Sequence, residues 1–412
     1  MIDDAPFVPT LDIDQIDLTD LELFAQDEAD EIFRHLRYLA PIYWNKLPSG
    51  HGFWAITKYD DVLTAWKNTK ALSSEYGNML RLQGKKDTAA GTMMVVSDPP
   101  HHTRLRRIHN EVVHVRKIPE MEPFIRSYVR ELLDNVTNCG EIDFMSEVAA
   151  KIPIAVTSQF IGIPRRDWFE MAELSYASIA AEDSEDWHGE SAEEALASIN
   201  AEVLIYFYDL IERKRRRPAQ DLVSLLIKAE IDGERLTDAE IAVNCFGFLI
   251  GGNFTTKLSI GGGMIAFQQF PAEWERLQRD PSLLKSANEE ILRWTAPNVH
   301  VMRVAKTDME IRGQQIRQGD TVSLWTSSAN RDEDVFPNPF QFDITRWPNK
   351  HVSFGAGPHY CIGSEVTRLE MRVFFEELLA RNVRIEMTRP LQRLRSNFMG
   401  GYRHLYLTIE EA

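Results

Sequence analysis

The sequence predicts a mainly α fold with small β-sheets, and three observations support this class. Apolar residues recur every three or four positions from 119 to about 270 and again after 363, which is the spacing of amphipathic helices. Short alternating segments joined through glycine, at 308–316 and 320–325, are instead typical of β-hairpins. Hydrophobic residues make up 44% of the 412-residue chain and charged residues 26%, so the chain can bury a large core.

The N-terminal region, at about 40–75, mixes strand and helix. Residues 52–59 form a short run rich in β-forming residues, and residues 60–66 after it have helical spacing. We therefore expect a β-rich region here, ahead of the helices.

A helical core is expected over about 100–300 and 361–381. Within it, Thr237 and Glu240 have the spacing of a capping box, and a long apolar helix follows. Glycines inside this helix each cost about 1 kcal/mol relative to alanine, so we expect a close approach of another group or a local distortion beside them. No repeat or composition break divides the chain, which predicts a single domain over 1–412.

Charge and hydropathy exclude several classes of protein. Lys and Arg number 46 against 62 Asp and Glu, a net charge of −16, which argues against a general nucleic-acid binder. No run of 18 apolar residues predicts a membrane span, and the acidic N-terminus is not a secretory signal. The three cysteines are too few for a disulfide framework in a chain of this length, so we expect a cytoplasmic protein that binds neither nucleic acid nor membrane.

Cys361 lies after a glycine-rich turn and just before a predicted helix, where backbone N–H groups favour a thiolate. A single cysteine is by itself more often a small buried hydrophobic residue than a ligand. Its surroundings, however, resemble the cysteine-ligand loop of the cytochrome P450 haem-thiolate family. The residues that match the family pattern are Phe354, Gly355, Gly357, His359, Cys361 and Gly363.

The resemblance covers nearly the whole chain, whose length is that of the soluble bacterial members. It implies the cytochrome P450 fold, a triangular, helix-rich prism with haem b between the long central helix and the ligand loop at 351–363. It also implies that Cys361 is the axial ligand of the haem iron. The glycines would permit close approach to the flat macrocycle, and N–H groups aimed at the sulfur would tune its electron donation.

Two further motifs are similar to family segments in the expected order. Glu290 and Arg293 match the family's E-x-x-R and share one helix face, which makes an ion pair geometrically natural. Arg346 lies in a segment that resembles the one whose arginine joins this pair. The resemblance implies a buried, structural charge network that holds the cysteine loop.

Four residues match family positions that hydrogen-bond the two haem propionates, as a buried carboxylate requires. His102 and Arg106 lie one turn apart in a segment similar to the family's D-P-P-x-H-x-x-x-R. Arg303 follows the E-x-x-R helix, and His351 lies three residues before Phe354.

The long helix departs from the family at its oxygen-binding stretch. Gly252 and Thr255 match the family pattern, but Phe254 occupies the position of the acid that contributes to proton delivery. Three readings stay open. Water chained through Thr255 and Asn253 delivers the protons; the substrate supplies a polar group; or the enzyme catalyses oxidative coupling, peroxygenation or nitration, which need no full proton relay.

By the resemblance, the substrate faces largely apolar residues from four segments, which suggests a medium-sized, mostly apolar or aromatic molecule with a few polar anchors. These residues could equally be core packing. The predicted pocket residues are Met79, Leu80, Met93, Met94, Phe248, Asn298, Val299, Val301, Phe398 and Met399.

A basic segment between 101 and 117 is the candidate dock for an acidic redox partner, and a solvated helix face is the alternative. The candidate contacts are Arg104, Arg107, Arg116 and Lys117. Since the chain ends at Ala412, we expect a separate ferredoxin and ferredoxin reductase to deliver electrons from NAD(P)H. A carrier protein that presents the substrate is a further candidate partner.

The resemblance therefore implies a monooxygenase that inserts one atom of O2 into a C–H bond of a small molecule, in bacterial secondary or catabolic metabolism. The main alternative is a cytochrome P450 with different chemistry, because of Phe254. A haem-binding sensor without turnover is the alternative from another class, and Thr255 argues against it.

Overall fold

The structure, a computed structural model, describes residues 11–48, 50–113, 115–179, 192–231 and 233–411. The predicted class is confirmed, since helices dominate and the sheets are small. Among the described residues, no helix combines the length and the apolar character needed to cross a membrane.

The helices and strands follow in chain order. The α-helices are Glu22–Ala25 (α1), Ala29–Leu39 (α2), Tyr59–Lys67 (α3), His101–Val112 (α4), Glu122–Val136 (α5), Lys151–Ile161 (α6), Trp168–Ile179 (α7), Ala192–Arg216 (α8), Leu222–Lys228 (α9), Asp238–Gln269 (α10), Pro271–Arg279 (α11), Leu284–Thr295 (α12), Thr326–Ala329 (α13) and Ser364–Ala380 (α14). The strands are Ile42–Lys46 (β1), Gly52–Ile56 (β2), Leu72–Ser73 (β3), Ile142–Asp143 (β4), Glu230–Ile231 (β5), Glu234–Arg235 (β6), His300–Ala305 (β7), Met309–Ile311 (β8), Gln314–Ile316 (β9), Thr321–Trp325 (β10), Val383–Met387 (β11), Gln392–Arg393 (β12), Tyr402–His404 (β13) and Tyr406–Glu411 (β14).

The predicted strand and helix of the N-terminal region are confirmed as β2 and α3. Of the two predicted hairpins, β8 and β9 form one. The segment 320–325 was wrongly expected to form another, because β10 pairs instead with β7 and with β2. All five residues of β10 are buried, as is typical of a central strand of a sheet rather than of a hairpin strand with one face in solvent.

The chain divides into two compact units, and a single domain over 1–412 stays a prediction. The first unit comprises the described residues of 1–90, 258–361 and 386–405. Its main sheet has the strand order β1-β2-β10-β7-β3, with a parallel pair between β2 and β10 and antiparallel pairs elsewhere. Two buried clusters of apolar side chains pack against this sheet, one around Trp66 and one around Trp325.

The second unit comprises the described residues of 91–257, 362–385 and 406–411. Charged side chains join α5 to α14 on this unit: Arg126 donates to Glu377 at 2.8 Å, and Arg372 donates to Glu122 at 2.6 Å. The apolar faces of these helices are buried beneath the charges.

The long helix α10 begins with the predicted capping box. The N–H of Glu240 donates to the Thr237 hydroxyl at 3.2 Å, and the N–H of Thr237 donates to the Glu240 carboxylate at 2.7 Å. The helix continues without a break from Asp238 to Gln269, and close approach rather than distortion accounts for two of its glycines, Gly252 and Gly262. A Cβ on Gly252 would lie 2.5 Å from Thr157 Oγ1, and one on Gly262 would lie 2.4 Å from Thr295 Cγ2.

The predicted charge network is present and buried. Arg293 donates to both carboxylate oxygens of Glu290, at 2.7 and 2.8 Å, and both side chains are 0% exposed. Arg346 Nε lies 3.2 Å from the same carboxylate, and Asn349 donates to it at 2.9 Å. Several donors therefore offset the desolvation cost of one buried carboxylate.

The same network extends to the cysteine loop. Arg293 donates to the carbonyl of Asn330 at 2.9 Å. The Asn330 amide in turn accepts from the N–H of Val352 at 2.8 Å and donates to Ser353 Oγ at 2.8 Å. The ion pair thus holds the segment that leads directly into the loop.

We expect Glu290→Gln to lower the free energy of unfolding by about 3–5 kcal/mol, because it leaves the guanidinium of Arg293 buried without a counter-charge. Denaturant unfolding measures this loss. Glu275→Gln is the matched control, since Glu275 pairs with Arg279 at 4.0 Å on the surface and its loss should cost less than about 1 kcal/mol. Equal effects of the two substitutions would show that the network contributes no special stability.

Gly262→Ala should lower the free energy of unfolding by about 1–3 kcal/mol, because the new methyl group overlaps Thr295. Gly251→Ala is the control in the same helix, where a Cβ meets nothing within 4 Å. There the better helix propensity should stabilise the protein by up to about 1 kcal/mol. Thermal unfolding compares the two, and a stabilising Gly262→Ala would contradict the close approach.

Candidate functional site

The cysteine loop is a closed turn between Phe354 and Cys361. The N–H of Cys361 donates to the carbonyl of Phe354 at 2.9 Å, and a short 3₁₀ turn spans Gly357–His359. Gly355 and Gly357 have φ of +68° and +70°, a conformation that disfavours any side chain. Cys361 itself is half-buried, whereas Cys245 is buried and Cys139 is exposed.

Close packing holds this loop against the end of α3. A Cβ on Gly355 would lie 3.2 Å from the Trp66 ring, and one on Gly357 would lie 3.0 Å from the Cα of Lys67. His359 Nε2 lies 3.2 Å from Ser74 Oγ, which adds a polar tether. The loop therefore presents Cys361 in one conformation.

Gly363 follows the loop and precedes α14. Its carbonyl accepts the N–H of Thr367 at 3.0 Å, which closes the first turn of that helix. Phe354, at the start of the loop, packs against the rings of His351 and Tyr360, with centroids 5.9 and 6.2 Å away.

Two predicted propionate partners lie in the first unit. Arg303 donates to Asn78 Oδ1 at 2.9 Å and its guanidinium lies 5.0 Å from the centroid of the Trp66 ring. His351 Nε2 lies 3.1 Å from Glu289, and its Nδ1 accepts the N–H of Ser353 at 3.3 Å. The structure thus engages both nitrogens of His351 within the chain, and a bond to a propionate would replace one of these contacts.

The other two predicted partners lie on α4, in the second unit. His102 is 2% exposed, and Arg106 follows it by one turn on the same helix face. Arg106 Nε donates to Asn110 Oδ1 at 3.0 Å. A buried imidazole and a nearby guanidinium therefore share this face, as the sequence predicts.

The predicted oxygen-side residues lie on an unbroken turn of α10. Thr255 Oγ1 donates to the carbonyl of Gly251 at 2.9 Å, a bond that threonines commonly make inside helices. Gly252 contacts Thr157 on α6, as described above. The local distortion that the glycines could have indicated is therefore absent at these residues.

Phe254 is buried in an aromatic contact between helices. Its ring packs edge-on against Tyr176 of α7 with centroids 5.0 Å apart, and Lys257 Nζ lies 5.8 Å from its centroid. Phe254 therefore packs between helices, which is one of the readings that the sequence leaves open for the apolar residues of this helix. A role for Phe254 in catalysis stays a prediction.

Asn253 is 7% exposed, yet neither end of its amide has a hydrogen-bond partner among the described residues. A buried amide without partners costs about 1–3 kcal/mol for each unsatisfied group. This cost indicates that water or a ligand completes its bonding. Among the predicted oxygen-side residues, Asn253 thus has an amide that can both donate to and accept from a polar partner.

Glu370 on α14 is a carboxyl group that sequence reasoning missed. It is 1% exposed, its Oε2 has no partner among the described residues, and burial raises the pKa of Glu370 well above its ordinary range. Its position within the apolar stripe of the helix was the available signal. Burial therefore favours the protonated form of this acid.

Predicted pocket residues of the first unit are brought together by backbone bonds. The N–H of Val299 donates to the carbonyl of Phe398 at 2.9 Å, and Asn298 forms a bridge with Met399. The N–H of Leu80 donates to the imidazole of His300 at 3.2 Å. Among the remaining residues predicted here, Met79 is half-buried, and Val301 is buried in the cluster around Trp66.

Predicted pocket residues of the second unit lie beside α10. The N–H of Met94 donates to Asn244 at 2.8 Å, and Met93 lies close enough to Gly247 that a Cβ there would be 3.6 Å from its sulfur. Phe248 stacks on the ring of His109, with centroids 5.6 Å apart. His109 was not singled out from the sequence.

The predicted basic dock needs correction at Arg104. Its guanidinium donates to Glu234 and to Glu240, both at 2.6 Å, so two carboxylates from another segment balance its charge. Arg107 is exposed beside it on a groove next to Pro99 and Pro100. The side chains of Arg116 and Lys117 lie outside the described residues.

The chain is similar to known proteins over almost its full length. The family model described as Cytochrome P450 matches residues 265–396. Linalool 8-monooxygenase of Pseudomonas putida is 32% identical over 402 residues, covering 95% of this chain and 98% of that protein. Steroid C26-monooxygenase of Mycobacterium bovis is 33% identical over 402 residues, covering 94% and 91%.

A solved structure has the same fold. P450BioI, in complex with an acyl carrier protein ligated to hexadec-9Z-enoic acid, matches with a TM-score of 0.85 and 28% identity, covering 94% of this chain and 100% of that one. The relatives named above are monooxygenases. Their similarity to this chain agrees with the two structural features already described, the cysteine loop and the buried charge network. The chain therefore belongs to the cytochrome P450 family and is a monooxygenase of that family.

Proposed function

We propose that the chain binds haem b through Cys361 and inserts one atom of O2 into a C–H bond of a medium-sized, largely apolar small molecule. The observation that carries this proposal is the cysteine loop. Two glycines at positive φ seat it against Trp66 and Lys67, and a backbone bond from Cys361 to Phe354 closes it.

The residues present fit a haem. A thiolate is the ligand that favours O–O cleavage at haem iron, and Cys361 is the half-buried cysteine of the loop. When bound, the haem supplies the iron that activates O2 with electrons that we propose come from NAD(P)H. His102, Arg106 and Arg303 are proposed to hold the propionates by charge-assisted bonds, and His351 would join them by exchanging its contact with Glu289.

Proton supply is proposed to run through water at Asn253 and Thr255. The buried amide of Asn253 has bonding capacity for such a water, and the Thr255 hydroxyl, which donates to Gly251, can still accept a hydrogen bond. Phe254 has no ionisable group and cannot itself relay a proton, so we assign this role to water held at its two neighbours.

The substrate is proposed to contact the predicted pocket residues, most of which are apolar. Leu80, Val299 and Phe398 are held together in the first unit. The named relatives act on linalool and on a steroid, which are molecules of suitable size and polarity for such a surface. A terpene, steroid or lipid chain is therefore the proposed substrate class.

Two kinds of protein partner are proposed. A small acidic ferredoxin would dock near Arg107, while Arg104, balanced by two carboxylates, contributes less attraction than its sequence suggests. A carrier protein is the second, supported by the acyl carrier protein in the complex with P450BioI.

A second candidate function is oxidative coupling, peroxygenation or nitration by the same site. Phe254 favours it, because an aromatic ring buried against Tyr176 replaces the acid of the usual relay. Product analysis separates these chemistries from hydroxylation.

We expect the purified ferric protein to show a haem absorption band that shifts when a terpene, steroid or fatty acid binds. Cys361→Ser should abolish the spectrum of thiolate-ligated haem after reduction and addition of carbon monoxide, because the ligand sulfur is lost. Cys139→Ser, at an exposed position, is the control and should keep it. A haem spectrum unaffected by Cys361→Ser would refute the assignment.

Phe254→Glu should raise NAD(P)H consumption by about tenfold if proton supply limits turnover, since a positioned acid contributes at least that much. Lys257, whose ammonium lies beside the ring, would stabilise the new carboxylate. Phe254→Gln is the control: it loses the same aromatic packing but adds no acid, so its NAD(P)H consumption should not rise. Equal rates and equal peroxide release in Phe254→Glu and the parent protein would exclude proton supply as the limiting step.

A further inference from the structure

His300 joins two segments that are far apart in the sequence. It is the first residue of β7 and is 0% exposed. Its Nδ1 lies 2.8 Å from the carbonyl oxygen of Asn397, and the N–H of Leu80 points to its Nε2 at 3.2 Å. One imidazole therefore bridges the backbones of positions 80 and 397 within the first unit.

The two partners determine the tautomer. A backbone carbonyl can only accept, so Nδ1 of His300 carries the hydrogen; a backbone N–H can only donate, so Nε2 keeps its lone pair. Burial lowers the pKa of His300 to about 4, which keeps the ring neutral at pH 7. Both bonds are therefore made by the same neutral ring.

The ring also packs between aromatic side chains. Its centroid lies 4.9 Å from that of Trp325 and 5.6 Å from that of Phe398. Phe398 follows Asn397, and the Phe398 carbonyl accepts the N–H of Val299, which is the residue before His300. The turn at 397–398 therefore contacts both His300 and Val299. Leu80, Val299 and Phe398 are the wall residues: a backbone bond joins Val299 to Phe398, and the His300 side chain joins Leu80 to the turn that carries Phe398.

We propose that His300 is a positioning residue that sets the shape of the substrate wall, and through it the size of molecule that the enzyme accepts. This inference rests on the proposed function, in which the wall residues contact substrate. A second polar residue supports the same turn, since Asn397 Nδ2 donates to the carbonyl of Leu18 at 3.1 Å. Asn397 is therefore held from two sides, by His300 and by Leu18. Of these two contacts, the one with His300 also joins the turn to Leu80.

The test uses three variants of the haem-loaded protein. His300→Phe keeps a ring against Trp325 but removes both hydrogen bonds, and His300→Gln retains one donor and one acceptor. His35→Phe is the matched control, because His35 is also buried and bonds the Glu31 carbonyl of its own helix at 2.9 Å. If His300→Phe does not fold with haem, His300→Leu replaces it as the disrupting variant.

Two measurements are made on each variant. Amide hydrogen exchange of peptides that contain Leu80 and Asn397 reports the bridge directly. Optical titration with imidazole and with 4-phenylimidazole reports the space beside the iron, since the larger probe must fit against the wall and the smaller need not.

We expect exchange at Leu80 to rise about tenfold in His300→Phe, the effect of one lost hydrogen bond. The Kd of 4-phenylimidazole should change about tenfold while that of imidazole changes less than about twofold. His300→Gln should recover most of both effects, and His35→Phe should show neither.

Other outcomes overturn the proposal in distinguishable ways. If His300→Phe matches His35→Phe in both measurements, His300 is only a packing residue. If exchange rises but the two azole affinities keep their ratio, the bridge exists but does not shape the site, and the proposed function is unaffected. If the parent protein binds no haem, the proposed function fails and this inference fails with it.

Discussion

The buried carboxylate of Glu290 is the constraint on which the first unit depends. A charge that is 0% exposed costs several kcal/mol unless donors surround it, and here Arg293, Arg346 and Asn349 all donate to it. Arg346 and Asn349 come from one segment far along the chain from the pair, so satisfying one carboxylate also positions that segment. Asn330 accepts from Arg293 and from the N–H of Val352, and so links the ion pair to the residues that begin the cysteine loop.

The loop itself adds a steric constraint to this electrostatic one. Gly355 and Gly357 take up left-handed conformations that disfavour side chains, and a Cβ at either position would be in tight contact with Trp66 or Lys67. The backbone bond from Cys361 to Phe354 then closes the turn. A loop held in one conformation needs no rearrangement to bind the proposed haem, which is the physical advantage of a preorganised site.

Phe254 is where the sequence departs from the family pattern on the long helix. Its ring packs against Tyr176, while the amide of Asn253 and Oε2 of Glu370 have no hydrogen-bond partner among the described residues. Burying a polar group without a hydrogen-bond partner is unfavourable, and proteins keep such groups mainly where water or a ligand supplies the partner. The loss of one carboxylate thus coexists with unmet hydrogen-bonding capacity elsewhere in the second unit.

Local sequence determined the fold class, the capping box of α10, the Glu290–Arg293 pair and the glycine-rich cysteine loop. Each of these depends on residues a few positions apart, whose geometry in a helix or turn is set by the backbone alone. Tertiary structure decided the rest: Arg104 meets Glu234 and Glu240, β10 enters a sheet rather than a hairpin, and His300 joins Leu80 to Asn397. These partners lie far apart in the chain, and only packing of the folded segments brings them within hydrogen-bonding distance.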